Sequence, residues 1–169
     1  NSGDITVRSG NDGINTNEDG VSVTTINGGR LHILAGLGAE GDGIDSNGFL
    51  VINGGNVFSA AHPASDAGLD SDLGSYIHGG TVIALGSTMD WAESDSEQVT
   101  MNLQFAYNRK PSDAIRITGE DGSEVFFYDP AADAAVGEHA RQYMGAVISC
   151  ADFQQGQSYL VYTGGQQMM

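Results

Sequence analysis

Basic residues are scarce in this chain. Only 6 of its 169 residues are Lys or Arg, against 22 Asp or Glu, giving a net charge of −16. A surface of that sign repels phosphate backbones and anionic headgroups, which argues against nucleic acid or membrane as a partner bound through a basic patch. Cysteine is nearly absent, and Cys150 by itself permits no internal disulfide. No apolar run approaches the roughly 18 residues that a membrane-spanning helix needs, so no membrane insertion is expected. Proline is rare at 3 residues, whereas glycine reaches 25. That glycine share is about twice the usual ~7%, but glycine and proline together stay below the roughly 25–30% typical of disordered chains. With 40% hydrophobic residues, the chain can build a packed core.

The glycines are periodic. Ile26-Asn27-Gly28-Gly29, Ile52-Asn53-Gly54-Gly55 and Ile77-His78-Gly79-Gly80 repeat one motif, and Asn1-Ser2-Gly3 fits as the tail of an earlier copy. Gly3, Gly29, Gly55 and Gly80 are spaced 26, 26 and 25 residues apart. After each pair comes a short alternating run: Ile5-Thr6-Val7, Leu31-His32-Ile33, Val57-Phe58-Ser59 and Val82-Ile83-Ala84. A second signature follows in Asp12-Gly13-Ile14-Asn15, Asp42-Gly43-Ile44-Asp45 and Ala67-Gly68-Leu69-Asp70, and a third run leads into the next glycine pair. Each unit therefore holds about three short strands with turns between them. One unit cannot bury its apolar side alone, but stacked units can.

The expectation is an all-β chain built on a parallel β-helix of about 3–4 coils. Its inward ladders would be Ile5/Leu31/Val57/Val82, Ile14/Ile44/Leu69 and Ile26/Ile52/Ile77. A calcium-binding nonapeptide roll is excluded, because it would repeat every nine residues. The first residues fall inside a repeat, so the helix reads as N-terminally truncated. Upstream coils or another chain are expected to cover that end.

After Leu85 the repeat stops. Residues 86–97 form an acidic connector containing Met89 and Trp91. Val99, Met101, Leu103 and Phe105 alternate, as do Ile115 and Ile117; Asp121-Gly122 is a turn signal; 125–128 and 159–162 are strand-like. The alanine-rich 130–144 segment is expected to hold one helix. The division is thus residues 1–97 as β-helix coils and 98–169 as a small β-rich C-terminal cap. Ala146-Val147-Ile148-Ser149 reads as a buried strand and Cys150 as a packed thiol. His32, His62, His78 and His139 are scattered without a nucleophile motif and read as loop or surface residues.

With Ile44 inward, Asp45 and Asn47 point out. Stacking then gives outward ladders Asn15/Asp45/Asp70 and Asn17/Asn47/Asp72, flanked by Asp12, Asp42, Glu40 and Asp66. Two carboxylates about 5 Å apart repel by about 3 kcal/mol at an effective dielectric near 20. A cation between coils would reverse that sign, and oxygen-only donors favour Ca²⁺. The candidate ligands are Asp12, Asn15, Asp42, Asp45, Asn47, Asp66, Asp70 and Asp72, with Asp45 central and Asn15 supplying a neutral oxygen. The alternative is a hydrated acidic face carrying asparagine ladders.

The stretch Gly41-Asp42-Gly43-Ile44-Asp45-Ser46-Asn47-Gly48, then Ile52-Asn53-Gly54-Gly55, and the tail Leu160-Val161-Tyr162-Thr163-Gly164-Gly165 carry a resemblance. They resemble the secreted bacterial carbohydrate-binding domain family with a polysaccharide-lyase-like β-helix. The resemblance implies a right-handed helix, bound calcium, an extracellular or cell-surface location, and binding of cellulose or acidic plant polysaccharides. Ala67, where the pattern has aspartate, and an insertion at 131–140 depart from it.

A sugar-binding surface needs aromatic faces with a few polar groups. Phe49 and Tyr76 on the third run, Trp91 in the connector, and Tyr107 with Arg109 are the candidates. A calcium-dependent lyase would need a basic proton acceptor. The helical part has only Arg8 and Arg30, read as one position out of register. The expected function is therefore non-catalytic binding, the chain not being an enzyme. A lyase or hydrolase is the alternative, and a structural or adhesin scaffold the third reading.

Overall fold

The computed structural model describes residues 3–19, 21–87 and 90–168. Asn1 and Ser2 of the expected earlier copy, and Met89 of the connector, lie outside the described residues. The chain is all-β, and its repeat region winds as a parallel β-solenoid of about three turns. The first coil contributes β1 (Asp4–Arg8), β2 (Ile14–Thr16) and β3 (Val23–Ile26). The second contributes β4 (Arg30–Leu34), β5 (Ile44–Ser46) and β6 (Phe49–Ile52), and the third β7 (Asn56–Ala60), β8 (Leu69–Ser71) and β9 (Gly74–Ile77). A last rung, β10 (Thr81–Gly86), ends the repeat.

Strands one repeat apart pair in parallel with the register that the periodicity implies. Ile5 faces Leu31, Leu31 faces Val57 and Val57 faces Val82. Ile14, Ile44 and Leu69 align, as do Ile26, Ile52 and Ile77. In the inner coils these ladders form one buried cluster. Ile5 remains 57% exposed, because no strand lies on the N-terminal side of β1 among the described residues. The glycine pairs are steric necessities. Gly55 and Gly80 have φ of +97° and +94°, and a Cβ on either would lie 2.6 and 2.5 Å from the turn carbonyl of the coil before it.

The remaining strands are β11 (Thr100–Arg109), β12 (Ile115–Gly119), β13 (Glu124–Tyr128), β14 (Tyr143–Ser149), β15 (Tyr159–Thr163) and β16 (Gln166–Gln167). The first sheet runs β1-β4-β7-β10-β14-β11, so β14 and β11 continue it antiparallel beyond β10. Val147 of β14 joins the solenoid core and covers its C-terminal end. A separate four-stranded sheet, β13-β12-β15-β16, folds over the outer face of the first sheet. There Leu34, Phe58, Ala60 and Leu85 share a second core with Phe105, Ile115, Ile117, Tyr143 and Ile148. The C-terminal part thus covers a face of the solenoid as well as closing its end.

Three local expectations change. The segment 130–144 is not a helix. It holds one 3₁₀ turn, Gly137–His139, and enters β14 at Tyr143. Its alanine content favours helix, but tertiary contacts win. Tyr143 is buried, and Arg141 donates from its guanidinium to the Ala35, Gly36 and Ala61 carbonyls at two solenoid corners. His32 is not a surface residue; it is 3% exposed, because the C-terminal sheet covers the outer face of β4. Arg30 stands opposite Asp4 and Arg8 opposite Leu34, so the two arginines are four positions apart along the strand rather than one. Cys150 is buried, and burial pushes its thiol pKa up.

Candidate functional site

The second sheet, β2-β5-β8, carries the acidic ladder. Asn15, Asp45 and Asp70 stack in register on its outward side. The backbone bonds from Asn47 N–H to the Thr16 carbonyl and from Asp72 N–H to the Ser46 carbonyl continue that register to Asn17, Asn47 and Asp72.

Much of the predicted ligand set is occupied by the protein itself. Asp12 accepts from the Asp42 N–H at 2.9 Å, and Asp42 accepts from the Ala67 N–H at 2.6 Å. Asp66 accepts from the Gly41 N–H at 2.9 Å and lies 3.7 Å from His62 Nδ1. These carboxylates stitch each coil to its neighbour through backbone donors. The Asn15 amide nitrogen donates to Asp12 at 2.6 Å and to Asp45 at 2.9 Å. Asn47 similarly donates to Asp19 at 2.9 Å. Among the described residues, no three His, Cys, Asp or Glu side chains converge to hold a metal ion.

Charge remains uncompensated one coil further on. Asp70 is raised from 3.8 to about 7, first by burial and then by Asp90, which hydrogen-bonds to it and repels it. Asp90 also accepts from the Ser71 N–H at 2.9 Å, which seats the connector against β8. Asp42 is raised to about 6, again by burial first, with Asp66, Asp12 and Asp45 adding repulsion. Asp45 is raised by burial and by Asp12 and Asp72. Asp90 sits outside the repeat, so periodicity gives no hint of it.

The third sheet, β3-β6-β9, carries the aromatic row. Leu50 and Ile52 point into the core, which turns Phe49 and Val51 outward. Phe49 lies 6.0 Å from Tyr76, ring centroid to centroid, and Tyr76 lies 6.2 Å from His78. Gly74 aligns with Phe49 and leaves open the space over which Tyr76 and Glu93 lean. The connector adds a partial fourth rung: Ala92 pairs with Ser75, and Glu93 N–H donates to the Ser75 carbonyl at 2.8 Å. That places Trp91, 38% exposed, next to the row.

Tyr107 and Arg109 are elsewhere, on β11 at the edge of the first sheet. Arg109 donates to the Tyr107 carbonyl at 3.1 Å and to Thr163 Oγ1 at 3.4 Å, and lies over the Phe105 ring. The five candidate sugar contacts therefore divide into two surfaces. His78 and Glu93 belong with the aromatic row and were not among the predicted residues. Strand alternation alone places His78 two residues beyond Tyr76.

Compared with known protein families, curated proteins and solved structures, the chain matches none.

The arginines of the lyase alternative sit on neither surface. Arg30 pairs with Asp4 at 3.5 Å, and Arg8 donates to the Ala135 carbonyl at 3.1 Å. Both lie on the first sheet, whereas the carboxylate ladder lies on the second.

Proposed function

We propose that this chain is a non-catalytic polysaccharide-binding module of a secreted or cell-surface protein. The observation that carries the reading is the outward row Phe49–Tyr76–His78, with Glu93 beside it, on the outer face of the third sheet and the turn that follows β9. Aromatic faces take the C–H faces of sugars, and the imidazole and carboxylate supply hydrogen bonds to hydroxyls. The rungs repeat at about 4.8 Å, which suits an extended repeating polymer better than a compact solute. The resemblance to the carbohydrate-binding β-helix family supports the same reading. The position of Arg8 and Arg30, away from the carboxylates, favours binding over lyase chemistry.

A cation is the second part of the proposal. The upper set of Asp12, Asn15 and Asp45 is already reconciled by the Asn15 amide. The lower set, Asp45, Asp70 and Asp72 with Asp90, carries like charges that repel one another. Ca²⁺ suits such oxygen donors, and its charge would offset their mutual repulsion.

The test is calorimetry of the full chain against soluble cellulose oligomers, pectate and alginate, with calcium and with chelator. Binding of one polymer is expected, with at least a tenfold loss in Tyr76→Ala and in Phe49→Ala and no effect of Tyr107→Ala. Absence of binding to all three would refute the module. An unsaturated product absorbance would turn the reading to a lyase.

A further inference from the structure

The aromatic row of the third sheet stands in a one-sided field of charge. Between residues 31 and 108 the chain has no Lys or Arg and ten Asp or Glu. No strand of the second or third sheet carries a basic side chain. The cations of the chain lie elsewhere. Arg8 and Arg30 are on the first sheet, Arg141 is held by the solenoid corner carbonyls, and Arg109, Lys110 and Arg116 are in the C-terminal part.

The connector brings carboxylates to the aromatics themselves. Ala92 forms a parallel bridge with Ser75, and both side chains are buried. Strand alternation then turns Trp91 and Glu93 outward, next to Gly74 and Tyr76. Phe49, Gly74 and Trp91 align in one outward column, and Val51, Tyr76 and Glu93 in the next. The space over Gly74 is bounded by the edge of the Tyr76 ring and the Glu93 carboxylate, each 3.1 Å from where a Cβ on that glycine would stand. Further along, His78 Nδ1 accepts from the Glu97 N–H at 3.3 Å, which sets Glu97 at the His78 end of the row. Glu93 and Glu97 line the same open depression, of about 360 Å³. Glu93, Asp95 and Glu97 are exposed, and none of them forms an ion pair among the described residues.

We infer that the polymer held by this row is a cationic amino sugar polymer, whose rings carry free amines, rather than a polyuronate. This rests on the polysaccharide-binding reading above and names its ligand class. A protonated amino sugar matches both halves of the surface. Its C–H face meets the rings of Phe49, Tyr76 and Trp91, and its ammonium donates charge-assisted hydrogen bonds to Glu93 and Glu97. An ammonium over an aromatic face is also attracted by the ring quadrupole. A uronate ring would bring its carboxylate against the same carboxylates, with no cation on either sheet to offset the repulsion.

The probes are hexamers of glucosamine, N-acetylglucosamine, glucose and galacturonate. Each is titrated calorimetrically into the full chain at pH 5.5 and low salt, with chelator and again with calcium. That pH lies above the ordinary carboxylate range and below that of a primary amine. The glucosamine hexamer should bind at least tenfold more tightly than either neutral hexamer, and the galacturonate hexamer at least tenfold more weakly than the glucose hexamer. Added salt should shrink the glucosamine advantage, since the screening length falls from about 10 Å at 0.1 M to about 3 Å at 1 M. Glu93→Gln combined with Glu97→Gln should lower the ratio of glucosamine to glucose affinity at least fivefold. Glu120→Gln, in the turn between β12 and β13, should leave that ratio unchanged. Tyr76→Ala should weaken glucosamine binding at least tenfold, which separates the row from diffuse attraction to an acidic chain. The inference is overturned if any neutral or acidic hexamer binds as tightly as the glucosamine hexamer, with or without calcium; the polysaccharide reading then stands. It is also overturned if the advantage survives the double variant or if glucosamine binding survives Tyr76→Ala. If no hexamer binds, the polysaccharide reading falls and the inference with it.

Discussion

Raising the pH from 4.5 to 7.5 in the presence of chelator should destabilise this protein, and Asp70 should account for a large part of the loss. The carboxyl is raised from 3.8 to about 7 in the folded chain by burial and by Asp90. Between those two values the folded chain holds a proton that the unfolded chain has released. Stability therefore falls as pH rises through this window, the reverse of the usual salt-bridged aspartate. At about 1.4 kcal/mol per pH unit, the full difference sets a ceiling of about 4 kcal/mol. The group is only half-buried, so water and salt screen it, and roughly 1–2 kcal/mol is the working figure. For a chain of this size, 1 kcal/mol moves Tm by about 2–4 °C, so Asp70 alone corresponds to about 2–8 °C.

Asp42, raised to about 6, and Asp45 act in the same direction. Asp121 and Asp133 are lowered below 3.8, so their contributions change below this window and do not mask it. The assay is thermal unfolding by circular dichroism at low ionic strength across that pH range, for the parent chain and for Asp70→Asn. The parent Tm should fall with pH. Asp70→Asn, neutral at every pH, should flatten the fall by the amount given above and be the more stable chain at pH 7.5. A parent Tm that is flat or rising from pH 4.5 to 7.5, or an Asp70→Asn chain with the parent's slope, would refute the reasoning.

Calcium at pH 7.5 should raise Tm and chelator should reverse it; at 100 times its dissociation constant, one site adds about 2.7 kcal/mol. Asp45→Ala should blunt that response, whereas a Tm indifferent to calcium and chelator would reduce the ladder to a hydrated acidic face. Arg141→Ala should cost about 2–4 kcal/mol, read by urea denaturation, because it strips a buried donor from the solenoid corner carbonyls. Ile52→Ala, in the middle of a fully buried ladder, should cost about 3–4 kcal/mol in the same measurement. Cys150 should resist a thiol reagent in the native state and react on unfolding, as expected of a buried thiol whose pKa burial raises.

The solenoid could be read from sequence because its information is local and repeated. A spacing of 26, 26 and 25 residues sets which residues meet, and each ladder is a one-dimensional consequence of that spacing. Ile26/Ile52/Ile77 inside and Asn15/Asp45/Asp70 outside follow from one phase of one repeat, and the register agrees. The strands at 99–105 and 115–117 also show in their alternation, and those at 125–128 and 159–162 in their runs of strand-forming residues.

What lay beyond the sequence was every contact between segments far apart in the chain. Alternation along Leu31-His32-Ile33 put His32 outside, and outside the solenoid it is. Only the docking of residues 128–133, about a hundred positions later, makes that outside an interior and gives His32 its partner in Asp133. Asp90 meets Asp70 because the connector folds back as another rung. The Asn15 amide nitrogen bridges Asp12 and Asp45 across two coils, a contact made by side-chain geometry rather than residue type. Alanine-rich 130–144 had the propensity for helix, but the buried Tyr143 ring and the Arg141 guanidinium each gain more from the solenoid surface than a helical turn provides. Spacing determines the coils of this protein, whereas the charge, burial and chemistry of its surfaces depend on which distant segment comes to lie on them.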